Sequence, residues 1–209
     1  MTAFDPIRSP MIDLRLPAHA GVLALRASHP TLLTVGKVMA EHREAVVREW
    51  ADWLTVRVSS ALPIPRETVE RELTLLYDVL TESVGPLRRA VTEVWHHACE
   101  HYGRIGAARG LAAGEIVEEI QYLRELLTRR VGPLLTTLRQ RQAMAIILRL
   151  NAVLDKGIAV AVVGYTDALV AALFTQNGVP APEGGTDTGD ILRQVEELEA
   201  ELHTALRSA

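Results

Sequence analysis

Aromatic side chains are scarce in this chain. Two phenylalanines, four tyrosines and three tryptophans make up 4% of its 209 residues, so a core must be filled by Leu, Val, Ile and Ala. One cysteine, Cys99, excludes an internal disulfide framework and fits a reducing cytoplasm. There is no basic excess: 22 Lys and Arg stand against 26 Asp and Glu, net −4, with the arginines scattered among acids. Phosphate backbones are gripped by concentrated basic surfaces, so nucleic acid is not expected as the main partner. The opening MTAFDPIRSP lacks the basic start and apolar run of a signal peptide, and a cytoplasmic location is expected. The longest apolar stretch, GIAVAVVGYTDALVAALF at 157–174, is broken by Asp167 and is at the short edge for a bilayer span. It reads as a buried helix, with no membrane partner.

Hydrophobic residues, at 48% against 23% charged, are enough for one ordinary domain and a short appendage. Residues 1–30, with Pro6, Pro10, Pro17 and Pro30, read as an extended arm whose alternating MIDLRL could pair with a partner as a strand. A helical domain is expected over 31–176. Its first helix, 31–60, places Val38, Val46, Trp50, Trp53 and Leu54 on one side. Pro63 and Pro65 open a second, 66–84, where Val69, Leu73, Leu76 and Leu80 step four, three and four. A third, 86–108, carries Leu87, Val91 and Val94; a fourth, 113–137, carries Ile116, Ile120, Leu123 and Leu127. The fifth, 139–176, lines up Ile147, Leu150, Leu154, Ile158, Ala161, Tyr165 and Ala168.

After a linker at 177–190, residues 191–209 hold Ile191, Val195, Leu198, Leu202 and Ala205 at heptad spacing between glutamates. A helix this short needs a partner, from a second copy or from the parent domain. Its apolar face is expected to be a dimer or partner helix. The fold class is all-α: a globin-like or antiparallel bundle of about five helices, then the linker and a short coiled-coil-like helix.

The densest chemistry lies in HHACEHYGRIGAARG, residues 96–110. Side chains four apart share a helix face, so His97 and His101 point together, and Glu93 and His96 form a Glu-x-x-His pair. Di-iron carboxylate bundles use two such pairs; here there is one, and no HExxH or paired CxxC, so no metal is expected. A metal-carboxylate enzyme therefore stands only as an alternative. Haem on His97 or His101, giving a globin-like gas sensor, is the other alternative, although Phe4 and Phe174 lie outside the central helices and provide no aromatic wall. No Gly-x-Ser-x-Gly turn presents a nucleophile. Glu115, Glu118, Glu119 and Glu125 read as a solvated face. The glycines of GRIGAARG read as a helix end and a close approach of two backbones.

Several motifs together resemble a known group. His101, Gly103 and Arg104 in H-x-G-R precede the turn at Gly110, then EIVEEIQYLRELL at 115–127, then RLNAVLDKGIAVAVVGY at 149–165. The order, with Trp50, Trp53 and Leu54 in W-x-x-W-L and Leu150, Asn151 and Asp155 in L-N-x-x-x-D, resembles the N-terminal helical domain of RsbT co-antagonist proteins of the RsbRD type. The match spans about residues 32–170. That resemblance implies a dimerising input domain of bacterial stress and histidine-kinase signalling, which catalyses nothing and acts on a downstream signalling protein or domain. Independently of it, Asn151 and Asp155 lie on or beside the apolar seam of the fifth helix, where a buried acid is costly unless paired. His101, Arg104, Arg124, Asn151 and Asp155 are therefore expected to form one polar cluster, structural or ligand-sensing. The expected function is a non-enzymatic, cofactor-free regulatory module, homodimeric, that relays a signal through helix packing.

Overall fold

The computed structural model describes residues 26–57, 65–176 and 188–209. Residues 1–25 of the expected arm, MIDLRL included, residues 58–64, with the expected end of the first helix and Pro63, and residues 177–187 of the expected linker lie outside the described residues. Among those described there are six helices and no strands: α1 (His29–Arg57), α2 (Arg66–Val84), α3 (Arg88–Ala108), α4 (Ala113–Thr137), α5 (Gln140–Gln176) and α6 (Thr188–Arg207). The molecule is an all-α helical bundle.

The helix ends follow local chemistry. Ser28 Oγ accepts the Thr31 N–H at 3.4 Å, and Pro30 suits the first turn of α1. At the end of α3, Gly110 adopts φ 76°. Its N–H reaches the Ala107 carbonyl, and the Leu111 N–H reaches that of Gly106 at 3.1 Å, the paired bonds of a Schellman ending. Ala112 cannot cap α4 with its side chain, but Glu115 reaches back to the Ala112 N–H at 2.7 Å.

α1 packs against α2, and α4 returns across α1. Tyr77 of α2 donates to the Met39 carbonyl at 2.7 Å, and Trp53 of α1 stacks on Tyr122 of α4 at 4.5 Å. Trp50 is fully buried, its ring 6.0 Å from that of Tyr102. The largest helix interface joins α3 to α5, which run in the same direction. Trp95 Nε1 donates to the Val153 carbonyl at 3.1 Å, and one step along the pair the backbones touch. A methyl group at Gly103 would lie 1.9 Å from the Ala161 carbonyl oxygen, and one at Gly164 2.2 Å from that of Glu100. The close approach expected of the GRIGAARG glycines is made by Gly103.

Two arrangements differ from expectation. First, α5 is not a buried helix. Gln140–Phe174 is apolar and long enough to cross a membrane by composition alone, yet only 17% of its most apolar stretch is buried. Leu148, Val163, Val170 and Phe174 stand 43–55% exposed. Second, α6 lies on α2 and α3 of its own chain, and that contact buries Ile191, Val195, Leu198 and Leu202. The face read as a dimer or partner helix is thus filled by the parent domain.

Candidate functional site

Between α3 and α6 lies an open cleft of about 310 Å³, lined by His97, Glu100, His101 and Arg104 from α3 and by Gln194, Glu197, Leu198 and Glu201 from α6. The period of α3 puts these four residues on one face, and the acid-rich edge of α6 answers them. His97 Nδ1 meets the Glu201 carboxylate at 3.1 Å, and Arg104 pairs along its own helix with Glu100 at 3.6 Å. His101 is different. It is 3% exposed, and neither ring nitrogen makes a well-formed hydrogen bond. Burial and the neighbouring Arg104 charge push its pKa down to about 4, against a weaker opposing pull from Gln194. The imidazole is therefore neutral at physiological pH.

The five residues expected to form one cluster do not. Arg124 of α4 donates to Asp155 of α5, tying those two helices. His101 and Arg104 face α6 instead. Asn151 is half-buried. Asp155 was expected to be buried, but its side chain is 63% exposed, so its pairing with Arg124 is a surface contact.

The buried polar centre lies elsewhere. Arg109, the residue that ends α3, sends its guanidinium to Glu119 of α4 at 3.0 and 3.2 Å, and Tyr102 donates to the same carboxylate at 2.5 Å. All three are under 7% exposed. Glu119, read with Glu115, Glu118 and Glu125 as part of a solvated face, is instead buried, while the other three are exposed. Glu72 of α2, fully buried nearby, has its pKa raised to about 8, chiefly by burial and against the pull of Arg109. With Glu72 protonated, one cation and one anion balance in the interior, which is how a buried ionic group is tolerated. Sequence reasoning missed this centre; the signal was Arg109 and Glu119 flanking a tight turn.

His97 and His101 suit haem poorly. On one side of α3, Gly103 and Gly164 bring its backbone against that of α5 and leave no space. On the other, Leu198 alone is apolar among the cleft residues, whereas cofactor pockets are mostly apolar. No three His, Cys, Asp or Glu side chains gather as metal ligands among the described residues. Cys99 is buried, and that burial raises its pKa, leaving the thiol in its unreactive protonated form. Compared with protein-family models, curated proteins and solved structures, the chain matches none.

Proposed function

We propose that this chain is a non-enzymatic regulatory module of bacterial signalling, working as a homodimer that passes a signal on through helix packing. The observation that carries the reading is the uncovered seam of α5. Leu148, Ala152, Lys156, Ala159, Val163, Asp167, Val170 and Phe174 recur at steps of three and four, and all are exposed. Such a stripe on a helix about 55 Å long is an association surface rather than a solvated one.

The charges within the stripe favour a second copy over a lipid phase. Lys156 and Asp167 lie on one side of the seam, and neither makes an ion pair among the described residues. In an antiparallel pair of α5 helices centred near residues 161–162, Lys156 stands opposite the partner's Asp167, and the contact repeats across the two-fold axis. Small residues at Ala152 and Ala159 allow close approach. The motif resemblance to RsbRD-type input domains points the same way. The signal would pass through α6, whose apolar face packs on α2 and α3 and whose polar edge borders an open cleft, while α5 keeps the dimer together.

Light scattering and sedimentation of the full chain test this. A dimer is expected at micromolar concentration, Val163→Glu should give a monomer, and Lys156→Glu should weaken association at least tenfold. The exchange Lys156→Glu with Asp167→Lys should restore it. A monomeric wild-type chain, or one that floats with lipid vesicles through α5, would overturn the reading, as would a charge exchange that rescues nothing.

A further inference from the structure

A second, larger cleft of about 860 Å³ opens at the other end of α3, where the α2–α3 turn, α5 and the segment before α1 meet. Four arginines line it: Arg26, Arg88, Arg89 and Arg149. Among the described residues no aspartate or glutamate side chain does; Ala209, the last residue, also reaches the rim, so its single carboxylate faces four guanidinium groups. Arg26, Arg88 and Arg89 make no ion pair among the described residues, in a chain whose other helices are laced with such pairs. Arg88 and Arg89 also begin α3, which has no acid in its first turn and no side-chain cap. Cations at a helix N-terminus oppose its dipole, so folding gains nothing by putting them there.

Arg149 is held differently. Its Nε donates to the Val84 carbonyl at 2.7 Å and its Nη2 to Gly85 at 2.5 Å, closing the end of α2 and fixing the guanidinium at the cleft wall. Burial, and secondarily the charge of Arg88, lower its pKa. The floor is apolar, formed by Pro86, Leu87, Ala145 and Leu148.

We infer that this cleft binds an organic phosphate: an anion bearing one or more phosphate groups on an apolar or aromatic body. Guanidinium forks match phosphate oxygens in pairs, and several of them suit a multiply charged group better than a single carboxylate. A cleft of this volume holds a molecule of nucleotide size. The same chemistry reaches the cleft from a soluble phosphate ester or from a phospholipid headgroup. Leu148 lines the cleft and also belongs to the α5 seam, so an occupant would touch the helix on which the proposed dimer depends. The binding itself does not require a dimer.

Titration calorimetry of the full chain with pyrophosphate and with ADP, at matched ionic strength, tests the site, with sedimentation of phosphatidylglycerol vesicles as the second arm. Saturable binding is expected in one arm, and the responding arm names the source. Arg88→Gln with Arg89→Gln should weaken it at least tenfold, while Arg141→Gln, an exposed change on α5 outside the cleft, should not. Both cleft arginines are exposed and poorly placed for the dipole, so the double variant should melt no lower than wild type. Absence of saturable binding in both arms, or equal binding by the double variant, overturns the inference.

Discussion

The flank of α3 that meets α5 is dry and built on glycine; the flank that meets α6 buries that helix's apolar face but has a polar edge with an open cleft. On the first, Gly103 and Gly164 bring backbone onto backbone, and Trp95 and Cys99 fill the space over Gly157. On the second, His97 reaches across to Glu201, and His101 is buried beside it without a proper partner, while Arg71 of α2 holds the same α6 through Glu196 and Glu199. Close-packed contact has no intermediate state, because a small separation forfeits most of its attraction. Exposed ion pairs stretch, exchange with water and weaken with salt. One helix therefore has a rigid neighbour and an adjustable one.

The most damaging single change should fall on the rigid side. Gly103→Ala places a methyl group where the Ala161 carbonyl oxygen already is, and backbone cannot rotate away as a side chain can. A loss of more than about 3 kcal/mol is expected, at or beyond the upper range for overpacked cores. Urea unfolding measures it, and the loss should be insensitive to salt. A variant as stable as wild type would mean that α3 and α5 do not approach so closely.

How much of this contrast was legible in the sequence depended on which signal wrote it. The bounds of α2 and α4 were readable because prolines and glycines punctuate a clean four-three-four apolar step. The GRIGAARG glycines announced a close crossing. The core side of α5 was not readable, since this helix is apolar nearly all round; a pattern without a polar face cannot say which side is covered. That is why Asp155 was placed near the interior, whereas it lies beside the exposed seam. The heptads of α6 were plain, but the same spacing serves a partner chain or the chain's own α2 and α3. Glu119 was read with Glu115 and Glu118 as solvated, although it stands three after Ile116 and four before Leu123, on the face that is buried.

The adjustable side should respond to pH through His101. Its folded pKa of about 4 lies below the ordinary 6.5, so the folded chain resists protonation that the unfolded chain accepts. The stability that depends on a neutral imidazole is complete above pH 6.5 and drains away as pH falls from 6.5 to 4. His101→Leu removes this drain and two unpartnered nitrogens. The variant should be at least as stable as wild type at pH 8 and gain on it by up to about 3 kcal/mol at pH 4. The facing groups His97, Glu100, Arg104, Glu197 and Glu201 are present in both proteins, so their titration largely cancels in the difference. Parallel stability curves for the two would place His101 in contact with water rather than in the interface.

The smallest effect should come from Arg71→Gln, and its distribution matters more than its size. Arg71 holds α6 through a two-pronged contact with Glu199, at 2.8 and 3.1 Å, and a further one with Glu196 at 3.2 Å. Arg71 and Glu199 are about a third exposed and Glu196 more so, and solvent screens all three, so the melting temperature should fall by only about 2 °C, and 1 M salt should erase most of the difference. Amide exchange should tell more. The amides of α6 should exchange faster in the variant while those of α3 and α5 keep wild-type protection, because undocking one terminal helix does not require the bundle to unfold. If all six helices instead lost protection together, α6 would be part of the same cooperative unit as the glycine seam, and a signal could not pass by shifting α6 alone.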